Sequence, residues 1–127
     1  MFIGRQALAD VHAALEDCWK SNSQVPERVR IELDIAVGEI VANIVEHASR
    51  GETVLVQMSI EVLSDQINID LTDDGIECEV NPDRAHMPDE LAHRGRGIAM
   101  ARAVLSRLSY QRSGAQNHWR LASRSFA

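Results

Sequence analysis

TVLVQMSIEVLSDQINIDLTDDG, residues 53–75, decides how this chain folds. Val54, Val56, Met58, Ile60 and Val62 occupy every second position, so an extended backbone carries all of them on one side. The alternation stops at Leu63-Ser64-Asp65-Gln66 and resumes with Ile67, Ile69 and Leu71. Two alternating runs separated by a short polar break predict an antiparallel hairpin with one apolar face. A sheet that is apolar on one face has to bury that face against another layer, so the rest of the chain must supply the cover.

Upstream, the cover is helical. Leu8, Val11, Leu15 and Trp19 are spaced by three and four, which predicts an amphipathic helix from Arg5 to Lys20. SNSQVP breaks it, and Pro26 fits the first turn of a second helix because the N–H it lacks has no partner there. That helix is expected to run to about Ala48, ended by Arg50 and Gly51. Downstream, residues 74–96 mix charges with glycines and prolines and read as a long loop. A third helix is expected from Gly97, carrying Ile98, Ala101, Leu105 and Leu108, followed by two short strands, YQR and HWRLAS, around Ser113-Gly114. Met1 to Gly4 is too short to be assigned a paired strand. This order predicts one α+β domain over residues 1–127, a two-layer sandwich with helices packed on one face of the sheet.

Composition narrows the function. With 45% hydrophobic and 25% charged residues the chain is an ordinary globular one, and its few aromatics leave the core to aliphatic side chains. A net charge of −6 argues against binding along a nucleic-acid backbone, which needs clustered Lys and Arg. Cys18 and Cys78 form no CxxC, and the histidines have no metal-ligand spacing, so neither a disulfide scaffold nor a zinc site is indicated. The start lacks the apolar core of a signal peptide and no run reaches the roughly 18 residues needed to cross a bilayer, which leads to the expectation of a cytoplasmic protein without membrane or nucleic-acid partners.

Three places combine residues suited to chemistry. Glu39 and Asn43 lie four apart on the second helix, with Glu46 and His47 continuing the line by another turn. They form either a solvated stripe or one wall of a site, and Asn, a mediocre helix former, needs some return for its mid-helix place. In TDDGIE, residues 72–77, Asp73 continues the apolar parity of Ile67, Ile69 and Leu71, so its carboxylate points inward. A buried carboxylate needs a donor, from the protein or a ligand. Alternatively Asp73 caps a turn in which Gly75 supplies a positive φ. In HRGRGIAMARAV, residues 93–104, two glycines flanking an Arg lead into a helix, either a phosphate cradle of backbone N–H groups and guanidinium or a flexible turn. Neither GxxxxGK[ST] nor a strand followed by GxGxxG is present, which removes the P-loop and Rossmann readings.

In this order the three places resemble the N, G1 and G2 boxes of the GHKL ATPase superfamily. Within it the chain resembles the anti-sigma-factor serine/threonine kinases of bacterial partner-switching systems, through ELDIAVGEIVANIVEHA (32–48) and GRGIAMARAVLSRLSYQRSGAQNHWRL (95–121). The resemblance spans about residues 5–122 and implies a Bergerat-type sandwich on a mixed, mostly antiparallel sheet. It also implies ATP and Mg2+ as cofactors, with Asn43 as the magnesium ligand and Asp73 as the acceptor of the adenine amino group. Gly75 would admit the base, and His47, Arg94, Gly95, Arg96, Gly97 and Ile98 would complete the ATP-binding set. Glu39 matches the catalytic base that takes the proton of a partner's Ser or Thr hydroxyl. The implied partner is an anti-anti-sigma-type, STAS-like antagonist, with a sigma factor or similar target for sequestration and a homodimer as a candidate assembly. Two positions depart from the pattern: Glu77 and Arg94 stand where the family often has glycine. Two other functions stay open, a nucleotide-binding regulatory module without phosphotransfer and a sensor histidine kinase domain separated from its dimerisation helices.

Overall fold

The computed structural model describes residues 2–3, 7–48, 54–77 and 93–126. Strand β1 (Phe2–Ile3) leads into helices α1 (Ala7–Ser21) and α2 (Glu27–Asn43), the latter continued by a π turn over Ile44–Ala48. Strands β2 (Leu55–Val62) and β3 (Ile67–Asp73) follow, then helix α3 (His93–Ala103) and strands β4 (Arg107–Ser113) and β5 (Gln116–Ala122).

The 53–75 hairpin forms as its alternation requires. Val62 pairs with Ile67 and Val56 with Asp73, and the loop closes with Leu63 N–H donating to Gln66 O at 2.8 Å. The sheet order is β1-β2-β3-β5-β4. Every pairing among the described residues is antiparallel, in keeping with the mixed, mostly antiparallel sheet that the resemblance implied. β5 therefore lies inside the sheet, between β3 and β4, although it comes last of these strands in the chain. β1, two residues long, does pair with β2 through Phe2–Val56 and Ile3–Leu55. The β4–β5 turn needs Gly114 at φ 60, a left-handed conformation that costs glycine nothing.

The helices cover one face of this sheet. Ala7, Val11, Leu15 and Trp19 form the buried ridge of α1, with Leu8 at its flank rather than in it. Leu33, Ala36, Val37, Ile40 and Val41 of α2 meet Ile67, Ile69 and Leu71 of β3 and Trp119 and Leu121 of β5 in one core. Each such aliphatic side chain removed from water contributes about 1.5–3 kcal/mol. Cover thins along β2: Val54 and Val56 are buried, whereas Met58, Ile60 and Val62 are only half-buried. A hydrogen bond from Trp19 Nε1 to Asp34 Oδ1 at 3.1 Å ties α1 to α2.

The second helix reaches Ala48 as expected, but three details of the helices differ from the sequence-based expectation. Pro26 is the residue just before α2, and its carbonyl accepts from Val29 and Arg30. The last turn of the second helix widens to a π turn directly after Asn43. α3 begins four residues before Gly97, and of its expected ridge only Ile98 and Ala101 lie on it. Leu105 falls in the following turn and Leu108 on β4; both are buried. Leu108 and Tyr110 already follow the strand period of two, and Ser106 N–H bonds Ala122 O at 3.0 Å, which starts the ladder.

Candidate functional site

The α2–α3 contact brings two of the sequence-predicted positions together. Glu39 projects from α2 toward α3, and a Cβ built on Gly97 would lie 2.7 Å from Glu39 Oε2. The absence of a side chain at 97 is therefore what lets the carboxylate lie against α3. Among the described residues Glu39 has no hydrogen-bond or ion-pair partner.

One turn along α2, Asn43 is 8% exposed and sits where the helix changes from α to π. Single π turns inside helices recur at functional positions. Its Oδ1 is the one buried side-chain polar atom among the described residues that meets no hydrogen-bond donor. Such an atom costs about 1–3 kcal/mol unless something pairs with it. A neutral oxygen of this kind suits a hard divalent cation that takes its remaining ligands from phosphates and water. Among the described residues no group of three or more His, Cys, Asp or Glu side chains is placed to hold a metal by itself, so Mg2+ here would depend on that shared ligation.

Asp73 occupies the end of β3 and is 1% exposed, pointing inward as its parity requires. Its Oδ1 accepts from Gly75 N–H at 2.9 Å and from Asn117 Nδ2 at 2.8 Å, and its Oδ2 from Trp119 Nε1 at 3.3 Å. The protein thus supplies donors to this carboxylate, and the turn-cap and inward readings are both true of it. A carboxylate offers about four acceptor directions, so one on Oδ2 is left for a ligand donor. Burial pushes the Asp73 carboxyl above its ordinary value; the bonds from Asn117, Gly75 and Trp119 oppose that shift, and Asp74 adds to it. The cap does not use a left-handed glycine: among the described residues only Gly114 has a positive φ.

Asn117 is the residue that sequence reasoning missed. It pairs with Asp73 across β3–β5 and is 1% exposed. Its Nδ2 also donates to Ile76 O at 2.8 Å, while its Oδ1 accepts from Tyr110 Oη at 2.5 Å and Arg112 Nη1 at 3.1 Å. Arg112 Nη1 in addition reaches Gly75 O at 2.6 Å. The signal was available: Asn117, Trp119 and Leu121 share a parity, so an amide on the buried side of β5 stands out as Asp73 does on β3. Beginning the strand at His118 hid it.

The remaining predicted positions are placed as follows. Arg94, Gly95 and Arg96 lie in the first turn of α3, not in a loop before it, so the free backbone N–H groups of this helix are theirs and His93's. Ile98, expected to begin the helix, lies inside it and is fully buried. His47 belongs to the π turn, and its side chain and those of residues 93–96 lie outside the described set. Glu77 is exposed. Residues 78–92, the body of the expected loop, are also outside it. On the opposite face of the sheet a shallow depression of about 490 Å³ runs between Glu61, Asn68, Asp70, Arg107 and Arg120. Its Arg120–Asp70 pair, 3.7 Å apart, is solvated and worth little.

Comparison with known proteins places this geometry. A family described as "Histidine kinase-like ATPase domain" matches residues 5–122. The chain belongs to that family. As a GHKL-type ATPase domain it has an ATP-binding, kinase-type fold. A curated relative, the serine/threonine-protein kinase BtrW of Bordetella bronchiseptica, is 28% identical over 119 residues, covering 90% of this chain and 80% of the relative. Among solved structures, the catalytic domain of the histidine kinase ThkA aligns with a TM-score of 0.59 at 12% identity over 92% of each chain. The histidine kinase domain of the Erythrobacter litoralis EL346 blue-light activated histidine kinase aligns at a TM-score of 0.57 and 23% identity over 78% of this chain. The ATPase domain spans 46% of that longer chain. These likenesses establish the two-layer fold. Among the described residues no helix is long and apolar enough to cross a membrane.

Proposed function

We propose that this ATPase domain is an ATP- and Mg2+-dependent protein serine/threonine kinase that phosphorylates an anti-anti-sigma-type antagonist in a bacterial partner-switching system. Sequestration of a sigma factor or similar target is part of the same reading, as is action in the cytoplasm. The observation that carries it is that α2 presents, among the described residues, a buried amide oxygen without a donor, Asn43 Oδ1, and one turn away a carboxylate without a partner, Glu39. The first fits a magnesium ligand and the second a general base. The name of the relative BtrW adds support for a hydroxyl acceptor.

In this mechanism Asp73 accepts from the adenine amino group through Oδ2, and Gly75 leaves room for the base. The first turn of α3, which includes Arg94, Gly95 and Arg96, offers free backbone N–H groups to phosphate, and the two arginines would add positive charge there. Asn43 Oδ1 would help to hold magnesium, which when bound would supply charge neutralisation at the phosphates. Glu39 takes the proton of the partner's Ser or Thr hydroxyl as that oxygen attacks the γ-phosphorus, and ADP leaves; positioning and charge neutralisation supply most of the acceleration.

The test is incubation of the purified chain with γ-labelled ATP, Mg2+ and cell extract. The expected result is label on Ser or Thr of a small protein, abolished by Glu39→Ala while ATP binding persists. Tight ATP binding without label in the wild type would replace this reading with a nucleotide-binding regulatory module. Label on histidine would replace it with a histidine kinase domain.

A further inference from the structure

Among the described residues every group that hydrogen-bonds Asp73 is a donor, and the orientation of the most important one is fixed from behind. Tyr110 Oη and Arg112 Nη1 both direct hydrogens at Asn117 Oδ1. An arginine has only donors to offer, so the amide oxygen must lie on that side and Nδ2 must face the other way. On that other side Nδ2 meets Asp73 Oδ1 at 2.8 Å and Ile76 O at 2.8 Å. Gly75 N–H on Oδ1 and Trp119 Nε1 on Oδ2 add two more donors. Among the described residues Asp73 therefore meets no acceptor to which it could give a proton, and its remaining direction on Oδ2 is presented as an acceptor too. The same amide and Arg112 hold the carbonyls of Gly75 and Ile76, so the backbone beside the base is fixed by the same residues.

We infer that Asn117, locked by Tyr110 and Arg112, is a positioning residue that keeps Asp73 an acceptor toward the ligand and thereby makes the site choose a 6-amino purine over a 6-oxo purine. This rests on the proposed nucleotide site. A 6-oxo purine brings an acceptor where a donor is needed, and a site built to receive an N–H rejects the analogue without it. Asn117→Asp reverses the lock. A carboxylate replaces the amide donor, Tyr110 and Arg112 hold that carboxylate ionised, and the one proton the two facing acids retain falls to Asp73, which, carrying it on Oδ2, donates to a 6-oxo group.

The experiment measures binding of ATP and of inosine triphosphate to the full chain, wild type and Asn117→Asp, by calorimetry with Mg2+ present. Wild type is expected to favour ATP by about tenfold or more, the worth of one hydrogen bond to a charged group. In Asn117→Asp that preference should shrink by about tenfold, which loss of structure alone does not produce because it weakens both nucleotides alike. If Asn117→Asp does not fold by circular dichroism, Tyr110→Phe, which removes a single hydroxyl, is read instead, with an expected narrowing of about threefold. An unchanged ratio in the folded variant overturns the inference and leaves the nucleotide site standing, as does a wild type that binds both nucleotides equally. A wild type that binds neither nucleotide overturns the site itself.

Discussion

Gly97 and Glu39 occupy one space: the Cβ that glycine lacks would stand 2.7 Å from the Glu39 carboxylate oxygen. Glycine inside a helix is otherwise unfavourable by about 0.5–1 kcal/mol relative to alanine. Its presence there means that the position serves the neighbouring carboxylate more than it serves α3. Gly97→Ala should therefore push Glu39 away, and its effect on stability should depend on residue 39. In the wild-type background it is expected to be neutral or destabilising, whereas in Glu39→Ala it should stabilise by about 0.5–1 kcal/mol. A double-mutant cycle of denaturant melts reads this directly, and additivity of the two changes would mean that the side chains do not compete.

Asn43 carries the opposite kind of tension, a buried acceptor without a donor among the described residues. Asn43→Leu, which keeps the branching at Cγ but replaces both polar atoms with methyl groups, removes that acceptor. Without nucleotide the variant is expected to melt at the same temperature as wild type or higher, since the relief is worth about 1–3 kcal/mol. With ATP and Mg2+ the wild type should gain stability through linkage and the variant should not. Thermal melts with and without ATP, each at two magnesium concentrations, separate the two statements; a variant still stabilised by ATP in a magnesium-dependent way would show that Asn43 is no ligand.

The hairpin and the helical ridges were legible in the sequence because each is a periodic pattern that burial alone enforces. Asp73 was legible for the same reason: a charged residue at an apolar parity marks an exception. The start of α3 was not, since HRGRG has no apolar period and its glycines read as a turn until packing against α2 makes a helix of them. Leu105 and Leu108 were misplaced because a leucine every three or four positions fits a helix until the chain changes to a period of two at Leu108. Asn117 and its partners Tyr110 and Arg112 depend on β5 lying between β3 and β4. That order is a long-range pairing that no local pattern states.

The raised proton affinity of Asp73 has a definite sign for stability. Its carboxyl holds a proton to higher pH in the folded chain than in the unfolded one, chiefly because burial disfavours the charge. The folded state therefore binds more protons in the window between the ordinary carboxylate range and the raised folded value, and stability from this group falls as pH rises through it. Asp73→Asn removes that dependence. It also turns an amide N–H toward Trp119 Nε1, a loss that does not vary with pH. Plotted against pH, the stability difference between wild type and variant should thus shift against the wild type as acid conditions give way to neutral ones. A difference that stays flat across this window would show that Asp73 titrates normally.

Trp119 offers a reporter for where the base enters. Its indole N–H donates to Asp73 Oδ2, the oxygen with a direction to spare, and its ring lies 4.6 Å from that of Tyr110. The chain's other tryptophan, Trp19, sits between α1 and α2 with its N–H on Asp34. In Trp19→Phe all indole emission comes from position 119. A purine amino group that arrives at Oδ2 competes with the 3.3 Å indole bond and changes the polarity at the ring edge. ATP with Mg2+ is therefore expected to shift or quench the emission of Trp19→Phe in a saturable way, with the same midpoint as binding measured by calorimetry. Introducing Asp73→Asn should abolish the signal. A spectrum that stays constant while calorimetry reports full occupancy would place the base elsewhere, because a ligand donor cannot share Oδ2 with Trp119 and leave the indole's surroundings unchanged.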